Sequence, residues 1–235
     1  MKQLTLLLTI TMLFGCAELQ KVAGTVITAP TGLTDLQIGN GLKEALQNGI
    51  SKQVSKLTSL DGFYGNAAVK ILLPKELTKM SNKLNSVGLG GLTDKGVKLL
   101  NRAAEDAVKE ATPIFVNAIT TMSFADAKSI IMGHDSSATT YLNKKTYNSL
   151  YQKFYPQVEK SLTKVGADDA WATVTKKYNA IPFVSKVNPD LKDYVTKKAL
   201  IGVFKMITVE EKQIRGNLNS RTSDLLKQVF ALQDK

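Results

Sequence analysis

The 235-residue sequence holds one cysteine, one histidine and one tryptophan, with six prolines. A single cysteine excludes a disulfide within the chain, so the fold must be held by packing. One His and one Cys leave carboxylates as the only plentiful metal ligands. Asp61, Asp94, Glu105, Asp106 and Asp135 are scattered without calcium-loop spacing, so no metal ion and no cofactor is expected. No strand-like alternation runs for more than a few residues, and neither internal repeats nor low-complexity tracts occur. Past the N-terminus the longest apolar runs, such as 200–204, are cut by charges such as Lys205. A bilayer core takes about 20 apolar residues to cross, so no transmembrane helix is expected in the body.

What is present begins at the N-terminus. Lys2 supplies a positive charge, residues 4–14 are an apolar segment, and Gly15 places a small residue before Cys16. This resembles the lipobox of bacterial lipoproteins, and it implies a signal peptide over 1–15 that is cut before a diacylglycerol-modified Cys16. Two or three acyl chains make a stable membrane anchor where one is marginal, because each buried methylene contributes about 0.8 kcal/mol. Ala17 stands where an inner-membrane retention signal of the enteric type has Asp, so the implied destination is the outer membrane, facing the periplasm. Residues 16–33 carry Gly24, Pro30 and Gly32 without helical periodicity and are expected to form the lipidated tether.

From 34 to 235 the periodicity is helical and the expected fold class is all-α, a single multi-helix bundle-like domain. With 43% hydrophobic and 22% charged residues, the composition supports a packed core. Thr34 and Gln37 form a capping-box pattern ahead of Leu42, Ala45, Leu46, Ile50, Val54 and Leu57. Residues 61–66 are a turn cluster whose two aromatics are expected to plug a core edge, leading to an apolar stretch that ends at Pro74. Leu77, Met80, Leu84 and Val87 form a second helical stripe, which Gly88, Gly90 and Gly91 are expected to close. From Val97 to Met122 one long stripe is interrupted by Pro113, which predicts a kink near Lys109 or two helices end to end. Ser123 and Asp126 announce a short helix through Ile131, and residues 134–140 read as a polar loop. A stripe from Tyr147 to Leu162 is expected to bend or restart at Pro156, and another runs from Trp171 to Ile181. Asp190 opens a buried helix through Ile207, and the last helix carries Leu225, Leu226, Val229 and Phe230.

Several phrases recur together: Asp61-Gly62-Phe63-Tyr64, Ile71-Leu72-Leu73-Pro74, Asn101-Arg102-Ala103-Ala104-Glu105, Ala138-Thr139-Thr140-Tyr141 and Arg221-Thr222-Ser223-Asp224-Leu225-Leu226. In combination they resemble a bacterial exported-protein family catalogued as domain of unknown function 4197, over about Leu42 to Phe230. The resemblance implies one uninterrupted domain. The family carries no established activity, so it adds placement and no chemistry.

Two sets of residues invite a functional reading. In His134-Asp135-Ser136-Ser137 a base lies beside hydroxyls, as serine hydrolysis requires. Triads are built from residues distant in sequence, however, no Gly-x-Ser-x-Gly elbow is present, and the family resemblance does not include the histidine. No catalytic residue is therefore assigned. The second set is Arg102 with Glu105 and Glu211 with Arg215, each pair on one helix face, together with Arg221. Ion pairs that fix helix register are the plain explanation. The sharper one is a site for an anionic group lined by Arg102, Arg215 and Arg221, since a guanidinium fork holds carboxylate or phosphate with two bonds.

The formal net charge of +11 is spread as spaced lysines, such as Lys176 with Lys177 and Lys197 with Lys198. That pattern suits solvated faces or attraction to anionic lipid headgroups, and the export signal argues against nucleic acid. The expected function is therefore non-enzymatic: a membrane-anchored module that binds an amphipathic or anionic envelope component or an envelope protein. A hydrolase acting on an envelope component is the alternative, and a purely structural role is a third.

Overall fold

The computed structural model of the chain describes residues 32–74 and 90–234. By its contacts the chain divides into Met1–Gly32 and Leu33–Lys235. The expected signal peptide, Cys16, the tether as far as residue 31, and the stripe from Leu77 to Val87 all lie outside the described residues.

Among the described residues every element of Leu33–Lys235 is helical: α1 (Asp35–Thr58), α2 (Gly90–Val108), α3 (Ala111–Thr120), α4 (Phe124–Ile131), α5 (Ser137–Thr163), α6 (Ala167–Asn179), α7 (Leu191–Gly216), a 3-10 turn at Leu218–Ser220, and α8 (Asp224–Phe230). The domain is all-α. Several starts follow from local chemistry. Thr34 and Gln37 make a reciprocal capping box, with the Thr34 hydroxyl accepting the Gln37 N–H at 3.2 Å. Ser123 and Asp126 do the same for α4, while Asp190 and Ser223 cap α7 and α8 through single side-chain acceptors.

α1 and α7 organise the core. α1 packs against α2, α3, α4, α7 and α8, and α7 packs in addition against α2, α5 and α6. Phe115 of α3 meets Phe204 of α7 edge to face, with ring centroids 6.0 Å apart. The buried stripes Leu42, Ile50 and Leu57 on α1 and Leu150, Phe154, Val158 and Leu162 on α5 are those that the sequence spacing predicts. Ala103, Ala104, Ala107 and Ala111 are all buried, and their small side chains let neighbouring backbones approach.

Five boundaries differ from, or refine, the sequence expectation. The stripe around Pro113 becomes two helices broken at Lys109 and Glu110, with the proline at the third position of α3, where a backbone N–H would have no intrahelical acceptor and its absence costs no hydrogen bond. α5 runs through Pro156 without restarting. The expected polar loop ends early, because Ser137–Thr140 already belong to α5. Ile181 lies beyond the end of α6 and is exposed. α7 continues past Ile207 to Gly216, and that extension carries the polar residues described next.

The link from α1 to the rest is built by residues 59–74. Asp61 adopts φ +63°, a left-handed conformation that Asp tolerates. Gly62 then passes so close to the end of α1 that a Cβ there would lie 2.3 Å from the Lys56 carbonyl oxygen. The tight turn buries Phe63 completely, as expected for a plug at a core edge, and its ring lies against Gly202 of α7.

Candidate functional site

The last two turns of α7 carry a buried polar hub. Glu211 accepts the N–H of Ala138 at 2.9 Å and that of Thr139 at 2.8 Å, and also takes the Thr139 hydroxyl at 2.8 Å. These are first-turn groups of α5, whose own N-cap Ser136 offers no side-chain bond. A carboxylate is the right partner for a helix N-terminus, where unsatisfied N–H groups and the macrodipole both favour negative charge.

One turn later Arg215 donates to Glu211 through Nε and Nη2, to the Ile130 and Ile131 carbonyls through Nη2 and Nη1, and to Gln233 Oε1 at 2.6 Å. All five of its N–H groups are thereby matched. The carbonyls belong to the C-terminus of α4, where a cation is favoured.

Arg221 closes α7 itself, donating to the carbonyls of Ile214 at 3.1 Å and Arg215 at 2.9 Å. Both of its terminal nitrogens also meet the Asp234 carboxylate, whose pKa this hydrogen-bonded pairing lowers. The two guanidiniums lie 5.9 Å and 5.7 Å from the centre of the Phe230 ring. Glu211, Arg215 and Arg221 are thus brought together, and the bonds they make join the ends of α4, α5 and α7 to the C-terminal segment.

Arg102 and Glu105 form a second cluster. Arg102 pairs with Glu105 and, through Nη2 at 2.7 Å, with Asp61; its pKa is raised, first by the hydrogen bond to Glu105. Glu105 Oε1 accepts the Phe63 N–H at 3.0 Å, and neighbouring Asn101 brackets Ile71, accepting its N–H and donating to its carbonyl at 2.8 Å each. α2 therefore latches the segment 61–71 in place. This cluster shares no hydrogen bond or ion pair with Arg215 or Arg221. It sits at the C-terminal end of α1, whereas α4 and α8 pack on the N-terminal half near Gly39 and Gly41; α1 has 24 residues and spans roughly 36 Å.

His134 lies in an exposed turn with its Nδ1 3.2 Å from the Ser136 hydroxyl. Among the described residues no carboxylate bonds to its ring, and Ser137 bonds to His134 through its backbone N–H to the carbonyl at 3.0 Å and not through its hydroxyl to the ring. Among the described residues no three His, Cys, Asp or Glu side chains converge on a common point, and no helix is long and apolar enough to cross a membrane.

The recess best suited to a ligand involves none of the candidate site residues Arg102, Glu105, Glu211, Arg215 and Arg221. Residues 68–74, a turn at Ala68 and Val69 followed by a segment without regular structure, lie beside α7 and bound a half-open groove of about 500 Å³. Val69 and Ile71 turn inward with Gly202 at the base, while Leu72 and Ile201 are each 59% exposed on its sides. Lys70, Lys198 and Lys205 stand around it. Two bonds hold the walls together: Tyr194 donates its hydroxyl to the Leu72 carbonyl at 2.7 Å, and Lys205 Nζ to the Ala68 carbonyl at 2.8 Å. Gly202 is required by this packing, because a Cβ would lie 2.7 Å from the Phe63 ring. The alternation of Val69 and Ile71 with Lys70 and Leu72 was the available signal, too short on its own to separate a groove wall from a buried run.

The phrases that the family resemblance rests on lie in the 61–74 segment, α2, the start of α5 and residues 221–226. The family described as "Protein of unknown function (DUF4197)" matches residues 32–231. The chain belongs to that family. No curated protein and no solved structure matches it. Three of the DUF4197 phrases now have a physical reading here: Asp61 to Tyr64 form the tight plug, Asn101 to Glu105 the latch over it, and Ala138-Thr139 the helix start that Glu211 caps.

Proposed function

We propose that this DUF4197 chain is a non-enzymatic envelope lipoprotein whose helical domain binds an amphipathic molecule with an anionic group. One observation carries the reading: the groove between residues 68–74 and α7 combines apolar walls with three lysines. A volume of about 500 Å³ lies within the common range for small-molecule sites, which are mostly apolar with a few oriented polar groups. Lysine ammonium groups can reach a phosphate or carboxylate while Leu72, Leu73 and Ile201 cover an alkyl chain. The arginine hub does not serve as the anion site in this reading, because Arg215 is fully matched within the fold and Arg221 is already paired with the Asp234 carboxylate.

Anchoring rests on the N-terminal sequence. Lys2, the apolar residues 4–14 and Gly15 before Cys16 support export and lipidation at Cys16, with the outer membrane facing the periplasm as destination. Feeding cells a fatty-acid probe tests this: the parent should be labelled and Cys16→Ser should not, and equal labelling would contradict the anchor.

For the groove, the probe is dodecyl phosphate below its micellar concentration, titrated calorimetrically into the full chain. Saturable one-to-one binding is expected, weakened roughly tenfold by Lys198→Gln and by Ile201→Ser. Absence of saturable binding to the parent, or equal affinity in both variants, would contradict the proposal.

A further inference from the structure

The connection from α6 to α7 holds a loop whose shape burial within this chain does not explain. Asn179, the last residue of α6, accepts the Val187 N–H and donates to the Val187 carbonyl, each at 2.8 Å. An amide side chain thus imitates a strand partner and pins the neck of the loop, and Val187 is buried beside it. The segment between is presented outward as a fixed tip. At its crest Phe183 is fully exposed, with Ile181 52% exposed beside it. Phe183 also has φ +63°, a left-handed conformation that an aromatic residue rarely adopts. An apolar ring held in water on a strained backbone points to a surface that receives it.

Charge identifies that surface. Between Asp169 and Asp190 the chain carries no acidic residue, and it carries Lys176, Lys177 and Lys186. Lys176 and Lys186 are both exposed. An exposed aromatic and an aliphatic side chain flanked by solvated lysines match the bilayer interface, where aromatic rings sit at headgroup depth and lysines meet anionic lipids. We infer that the loop around Phe183 docks on an anionic bilayer, inserting the Phe183 ring between headgroups while Lys176 and Lys186 contact their phosphates. This goes beyond the groove proposal and is independent of it.

The test reads position 183 locally, so it does not depend on what else attaches the protein. Full-length protein carrying Phe183→Trp is reconstituted in vesicles of phosphatidylethanolamine with one-third phosphatidylglycerol. The parent, with its buried Trp171, supplies the background. The emission of the new tryptophan should shift to the blue and be quenched by brominated acyl chains. Adding Lys176→Gln and Lys186→Gln should reduce the inserted fraction roughly tenfold or more, at about 1 kcal/mol for each lysine near an anionic surface. Dodecyl phosphate binding should be unchanged in all these variants. Solvent-like emission without brominated-lipid quenching would overturn the inference, as would equal insertion into pure phosphatidylcholine. So would a photocrosslinker at position 183 that joins the loop to an envelope protein while that quenching is absent.

Discussion

Glu211 caps the start of α5 at Ala138, 73 residues earlier in the chain, through a 2.9 Å bond from the Ala138 N–H. With Arg215 bonded to the same carboxylate and to the end of α4, one turn of α7 fixes the ends of two other helices. Both side chains are almost completely buried, so removal of either leaves an uncompensated charge in the core.

Glu211→Ala should destabilise the domain by about 3–5 kcal/mol, since it strands a buried guanidinium and uncaps α5. Replacing both Glu211 and Arg215 by Met should cost less than the sum of the single changes. Urea unfolding of the four proteins measures the coupling, and strict additivity would show that the pair does not act as a unit.

Acid stability should depend on Asp234. Its carboxyl is held below the ordinary value by the hydrogen bonds from Arg221, so its contribution is complete above about pH 4 and is lost as the pH falls through the folded-state value. Asp193 behaves alike: burial pushes its pKa up, but hydrogen bonds from Tyr151, Lys197 and Asn188 outweigh that and leave it lowered. Denaturation curves of Asp234→Asn should therefore fall below the parent near neutrality and approach it in acid. A constant gap across the acid range would contradict the pairing.

Gly62→Ala should cost about 2 kcal/mol or more, because the added methyl meets the backbone carbonyls of Lys56 and Leu57, which cannot rotate away as a side chain can. Chemical denaturation measures this, and wild-type stability would show that the turn can rearrange.

Phe183→Gly should raise stability by up to about 1 kcal/mol, since glycine accepts a left-handed φ and a fully exposed ring gives up no core contact. An upward shift in the urea midpoint is expected, and a downward one would mean that Phe183 supports the fold.

Much of the helical layout is written in local signals. Thr34 with Gln37 and Ser123 with Asp126 mark their helices because a cap involves residues three apart. The start of α5 was not legible for the opposite reason: its acceptor is Glu211, which only tertiary packing brings near. Pairing of Arg102 with Glu105 and of Arg215 with Glu211 followed from helical spacing, whereas Asp61 and Asp234, the other carboxylates bonded to the arginines, did not. The groove is not legible in the sequence because its two walls lie more than a hundred residues apart, and only the fold shows that Leu72 and Ile201 both remain exposed.

The most direct test of the account is photolabelling with a diazirine-bearing dodecyl phosphate, followed by peptide mapping. Label concentrated within residues 68–74 and 194–205, and displaced by unlabelled dodecyl phosphate, is the predicted result. Label scattered over the surface, or gathered around Arg215 and Arg221 instead, would contradict it.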